Sequence, residues 1–122
     1  MTGDGWPWEE SALPPEVAAG LREAGRREGL LAKMPSRRSL QASAERYQAL
    51  SDPTRLLIMH LLGESVLCPC VLKDLTGLTD SKLSYHLSIL ERVGLVAWRQ
   101  NKNWRVYGLT ALGRDCLKDR LP

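Results

Sequence analysis

The chain changes its repeat once, at Gly94, and that change limits the folds open to it. Before Gly94, apolar residues return every three or four positions, the period of a helix buried along one face. After it, Leu95-Val96-Ala97-Trp98-Arg99 and Trp104-Arg105-Val106-Tyr107-Gly108-Leu109 are rich in β-branched and aromatic residues. They flank the polar tip Gln100-Asn101-Lys102-Asn103, a pattern that predicts a β-hairpin. Thr110 can cap a last helix running through Leu112, Cys116 and Leu117 to the end of the chain.

The helices ahead of the hairpin announce their own ends. In Ser51-Asp52-Pro53, Asp52 can cap and Pro53 suits the first helical position, where a missing N–H costs nothing. Leu56, Leu57, Met59, Leu61 and Leu62 then predict a mostly buried helix that Gly63 ends. A short helix is expected from Leu67 to Thr76, closed by Gly77. Another starts at Thr79 or Asp80 and carries Leu83, Leu87, Leu90 and Val93 up to Gly94. Upstream, the spacing predicts a helix over 39–50 with Leu40, Ala44, Tyr47 and Leu50 on one face. It also predicts one over 15–33, weakened by Gly20, Gly25 and Gly29 at about 1 kcal/mol each against Ala. Met34-Pro35-Ser36 separates these two, because a residue before proline avoids the α region. Residues 1–14, with Trp6, Trp8 and two prolines, have no period and read as a poorly ordered start.

Helix, short helix, turn, helix and hairpin in that order make a winged helix-turn-helix, a mainly α (α+β) fold with a two-stranded β-hairpin wing and flanking helices. Residues 1–38 are expected to form an extension with one helix, and 39–122 the DNA-binding and sensing domain. At 122 residues there is room for little more. No apolar run approaches the roughly 18 residues of a membrane span, and no basic segment precedes an apolar one at the start. Three cysteines, an odd number, do not suit a disulfide framework. The expectation is a cytoplasmic protein, without membrane contact, whose thiols stay reduced.

The second helix of such a pair fits the major groove of B-DNA, about 12 Å wide, and a basic hairpin tip can reach the backbone or minor groove. With Leu83, Leu87 and Leu90 inward, the opposite face presents Ser81, Lys82, Ser84 and Tyr85, with His86 beside the apolar stripe. Taken alone these are an ordinary solvated face. The wing weighs against that: Arg99, Lys102, Asn103 and Arg105 surround a turn with no acidic residue from Val93 to Thr110. The net charge of +3 lies wholly in residues 51–122, which hold ten Lys/Arg against seven Asp/Glu. The partner expected is double-stranded DNA. His86 reads as a packing or backbone-contact histidine rather than a metal ligand, and His60 as a core or edge histidine.

Cys68-Pro69-Cys70 is the most informative local feature. Two residues apart on a regular helix point about 200° apart and cannot share a ligand. Pro69 changes this by holding Cys68 extended and taking the first helical position itself, so that both sulfurs can converge at a helix N-terminus. The positive end of the helix favours thiolates, and two thiolates at one point suit a soft ion. Two small cysteines packed under the helix-turn-helix would satisfy the same spacing.

Ala49-Leu50-Ser51-Asp52-Pro53-Thr54-Arg55 resembles the signature of the ArsR-type (ArsR/SmtB) metalloregulatory repressors. The resemblance continues through Leu67-Cys68-Pro69-Cys70, Ser84-Tyr85-His86-Leu87-Ser88-Ile89-Leu90, Gly94-Leu95-Val96 and Trp104-Arg105-Val106-Tyr107, covering roughly residues 40–117. It implies a homodimer on a palindromic operator, released by an inducer. Dimer contacts would come from helices at about 15–33 or 39–50 and at 110–121. It is greatest to the arsenic-sensing members with a Cys-x-Cys at this place, which implies As(III), Sb(III) or another soft metal ion as inducer and no permanent cofactor. Val71 stands where such members often carry an acid, and Lys73 where some carry a third cysteine. Because trivalent arsenic and antimony prefer three sulfurs, Cys116 of the same or a partner chain becomes a candidate third ligand, or else solvent or a small thiol. The carboxylate–His zinc sites of other members find Asp115 and Asp119 on the last helix but no His.

Three other readings compete. The same cysteines could form a redox or persulfide switch, pairing with Cys116 because a Cys68–Cys70 disulfide is strained. A thiol-dependent enzyme would need a base and an oxyanion pocket that two histidines and no glycine-rich loop hardly supply. A winged helix used only for protein contacts would have no salt-dependent DNA affinity.

Overall fold

The computed structural model describes residues 10–118; Trp6, Trp8 and Asp119, weighed above, lie outside the described residues. The chain divides into two compact units between Ser39 and Leu40.

In the first unit the segment expected as one helix is two. After a single turn at Glu10–Ala12, helix α1 (Pro15–Ala24) ends at Gly25, and α2 (Arg26–Lys33) begins at once. The reason is local. Gly25 takes the left-handed conformation (φ 86°), open to glycine at little cost, and donates to the Arg22 carbonyl at 3.3 Å. Gly29 completes the corner, since a Cβ there would overlap the Ala24 carbonyl oxygen. Lys33 Nζ reaches the same carbonyl at 3.1 Å. These glycines turn the chain instead of merely weakening a helix.

Helix α3 (Arg37–Leu50) starts two residues earlier than expected, because the Ser36 hydroxyl accepts from the Ser39 amide at 3.0 Å. In α4 (Pro53–Glu64), Asp52 caps as its sequence predicts, its carboxylate accepting from Thr54 N at 2.8 Å and Arg55 N at 3.1 Å. The helix continues one residue past Gly63. That glycine serves packing: a Cβ on it would press within 2.9 Å of the Leu117 side chain. Helix α5 (Pro69–Thr76) closes on Gly77 (φ 72°), and α6 (Asp80–Arg92) opens with the Thr79 hydroxyl accepting from Lys82 N at 3.2 Å.

Strands β1 (Val96–Asn101) and β2 (Trp104–Leu109) pair antiparallel, with Val96 opposite Leu109 and Asn101 opposite Trp104. The turn is therefore Lys102-Asn103 alone, with Lys102 at φ 55°, tighter than the four-residue tip the sequence suggested. Leu67 bridges Tyr107 through two backbone hydrogen bonds of 3.0 and 2.8 Å, tying the entry to α5 to the hairpin. Helix α7 (Ala111–Lys118) begins where the Thr110 hydroxyl accepts from Gly113 N at 3.0 Å and donates to the Gly94 carbonyl at 2.6 Å.

One core holds this unit together. Ile58, Met59, Leu72, Leu90 and Leu95 are fully buried, with Leu62, Leu83, Leu87, Val96 and Tyr107 closing around them. Each large apolar side chain so enclosed contributes about 1.5–3 kcal/mol, which fixes α5 against α6 and the root of the wing. Four expected interior positions are on the surface: Leu40, Leu56 and Leu57 are 54%, 38% and 44% exposed, and Tyr47 is 73% exposed. Leu40 and Tyr47 of α3 thus face away from the core of their own chain, while Leu50 at its end packs against it.

Candidate nucleic-acid interface and thiol site

Burying Leu83, Leu87 and Leu90 turns the first two turns of α6 outward. Ser81, Lys82, Ser84 and Tyr85 are all exposed, as the helical spacing requires. His86 is different. It is half-buried, its Nδ1 lies 3.1 Å from Arg55 Nη1, and its ring meets Tyr85 edge-on at 5.3 Å between centroids.

Pairing along the wing distributes its cations over both faces of the ribbon. Arg99 lies opposite Val106 on one face, and Arg105 lies opposite Gln100 on the other. The Arg105 guanidinium stacks 4.1 Å above the Trp98 ring, which holds the charge near the tip. Arg99, Lys102, Asn103 and Arg105 are all exposed.

The cysteines meet where Pro69 directs them. Cys68 is extended (φ −88°, ψ 161°) at the cap of α5, Cys70 sits in its first turn, and the two Sγ atoms are 2.9 Å apart. All three cysteines are free thiols. Their mutual contact does not act on the two thiols equally. The Cys70 thiol beside Cys68, with the Val71 amide behind it, holds Cys68 below the ordinary cysteine value. The same contact, with some desolvation, pushes Cys70 above it. Of the two, Cys68 is thus the sulfur that gives up its proton more readily.

Cys116 is not brought to this pair. It lines a separate hollow of about 390 Å³ with Arg46, Tyr47, Leu50, Leu112 and Asp115, between α3 and α7. Among the described residues no group of three or more His, Cys, Asp or Glu could close around a metal ion. Within one chain the site is two sulfurs, a donor set that fits a soft ion with further coordination from outside. Lys73, one turn beyond Cys70, pairs with Asp80 of α6 at 3.1 Å. Arg55 carried no assignment in the sequence reading. Its partner on α6 is 31 positions away, and no local spacing signals such a contact.

Among the described residues no helix is long and apolar enough to cross a membrane. The sequence profile described as bacterial regulatory protein, arsR family, matches residues 52–97, from the Asp52 cap to the start of the wing. An uncharacterized HTH-type transcriptional regulator of Methanocaldococcus jannaschii is 37% identical over 68 residues, 55% of this chain and 76% of that protein. The arsenical resistance operon repressor of Bacillus subtilis (strain 168) is 37% identical over 71 residues, 57% of this chain and 68% of that one. A homodimeric winged helix-turn-helix DNA-binding domain from Mycobacterium bovis, a possible ArsR-family regulator, has a TM-score of 0.61 at 25% identity. The alignment covers 70% of this chain and 82% of that domain.

Proposed function

The chain belongs to the arsR family of bacterial regulatory proteins, whose members are DNA-binding transcriptional regulators and not enzymes, and on that premise we propose that it is a repressor relieved by a thiophilic ion at Cys68 and Cys70. Two copies would bind a palindromic operator. The exposed apolar residues Leu40 and Tyr47 of α3 and Leu112 of α7 are the surface offered for the dimer. Ser81, Lys82, Ser84 and Tyr85 would read the major groove, while Arg99, Lys102, Asn103 and Arg105 meet phosphate.

The observation that carries the ion reading is the meeting of two sulfurs, 2.9 Å apart, at the start of the helix packed beneath α6. An arsenite- or antimonite-like ion would take both. A third ligand would come from Cys116 of a second copy or from a small thiol in solution. The coupling to DNA runs through the core. Lys73–Asp80 is an exposed pair worth at most about 1 kcal/mol, whereas Leu72 is buried in the same core as Leu83 and Leu87, so a shift of α5 would carry α6 with it. A redox or persulfide response remains the second reading, favoured by the lowered value of Cys68 beside a second thiol. Cys116, the partner expected for that switch, lines a different hollow, and Cys70, though nearer, would close a strained disulfide.

DNA binding is tested by salt titration. Lys102→Ala and Arg105→Ala should weaken binding to every sequence and each flatten the log–log salt slope by about one. Ser84→Ala or Tyr85→Ala should cost about 1–3 kcal/mol of discrimination at a directly read base. A salt slope unchanged by both wing variants would take the wing off the DNA.

A further inference from the structure

Arg55 sits at the junction of three helices. Its Nε donates to the Ala49 carbonyl near the end of α3 at 2.6 Å, and its Nη1 lies 3.1 Å from His86 Nδ1 on α6. Its own amide donates to the Asp52 carboxylate that caps α4. A guanidinium has no acceptor, so His86 Nδ1 must supply the lone pair and the ring proton must be on Nε2. That tautomer fixes the ring, and the ring fixes Tyr85 by its edge, at 5.3 Å and 67° between planes. Tyr85 is 60% exposed on the outward face of α6 and shares the hollow beside it with Arg55 and Ile89.

We infer that Arg55 and His86 are positioning residues for DNA recognition: the guanidinium locks the first turns of α6 to the α3–α4 corner, and His86 passes that constraint to Tyr85. His86 then acts on DNA through Tyr85 and not by touching a base. The inference rests on the reading of α6 as the recognition helix. Its chemistry is directional. Arg makes two bonds along fixed vectors, which a lysine ammonium cannot reproduce. The histidine must present an acceptor at Nδ1, a position that the Asn side-chain oxygen can also occupy and Phe cannot.

The experiment uses the full chain and two duplexes: one recovered by selection on the wild type from a random-sequence library, and one of unselected sequence. The ratio of the two affinities, the salt slope and the thermal midpoint are measured for each variant. His86→Phe and Arg55→Lys should lower the ratio by about tenfold while the salt slope stays, because backbone contacts are kept and base reading is lost. His86→Asn should restore the ratio to within about twofold of wild type by resupplying the acceptor. A wild-type ratio in His86→Phe overturns the inference, as does an equal loss in His86→Phe and His86→Asn. A wild type that selects no duplex would instead sink the DNA reading. The clamp is then read from the ¹⁵N resonance of His86 Nδ1, which should report an unprotonated acceptor and move in Arg55→Lys; no movement overturns it.

Discussion

Asp52-Pro53 and Cys68-Pro69 open α4 and α5 with the same backbone device: an extended residue at the cap, then a proline that needs no hydrogen-bond partner. The side chains part company. The Asp52 carboxylate turns back onto its own helix and satisfies two amides. Cys68 makes no capping hydrogen bond and turns sideways to the Cys70 sulfur. The first helix start is closed and structural, and the second is left open at the same point with two polarizable atoms. A polypeptide that could have capped α5 with a hydroxyl or carboxylate forgoes that stability there, which is the pattern of a site.

The sharpest way to break this contrast is to exchange the roles. Cys68→Asp should give α5 the cap that α4 has, raise the thermal midpoint, preserve DNA affinity and remove all response to soft ions. A response retained in that variant would place the sensor elsewhere. Next in size is Asp52→Ala, expected to lower the thermal midpoint by about 4–8 °C for a domain of this size. The backbone amide of Arg55, first among the causes, holds the Asp52 carboxyl below the ordinary carboxylate value. A lowered folded value means that the cap's contribution is fully present above the unfolded value and is lost as pH falls through the folded one. Asp52→Ala should therefore flatten the acid limb of the stability curve, and an unchanged limb would show that the cap is idle. The smallest effect is in the thiols. Residue-resolved iodoacetamide labelling should show Cys68 gaining reactivity at lower pH than Cys70, and coincident profiles would dissolve the donor–acceptor pair.

Much of the architecture was legible because it is written locally. Asp52, Thr79 and Thr110 each cap within three residues of themselves, Cys68-Pro69 marks the start of α5 by its backbone, and the hairpin declares itself by its period. What escaped depends on contacts distant in sequence or on space. Gly63 reads as a stop, yet it sits inside α4 because Leu117 packs against it. Gly25 and Gly29 read as weak points in one helix, yet together they form a corner. Leu40 and Tyr47 have the spacing of a core face, and period alone cannot tell a buried face from an exposed apolar one. Both sulfurs were expected at α5, but their unequal acidity follows from a 2.9 Å contact that spacing does not specify.

The central claim is tested most directly by binding of the fully reduced protein to its selected duplex, with and without arsenite, beside Cys68→Ser. The account predicts that arsenite releases the wild type and leaves the variant bound. Reduced wild type that holds its duplex at saturating arsenite, or Cys68→Ser released as readily as wild type, would contradict it.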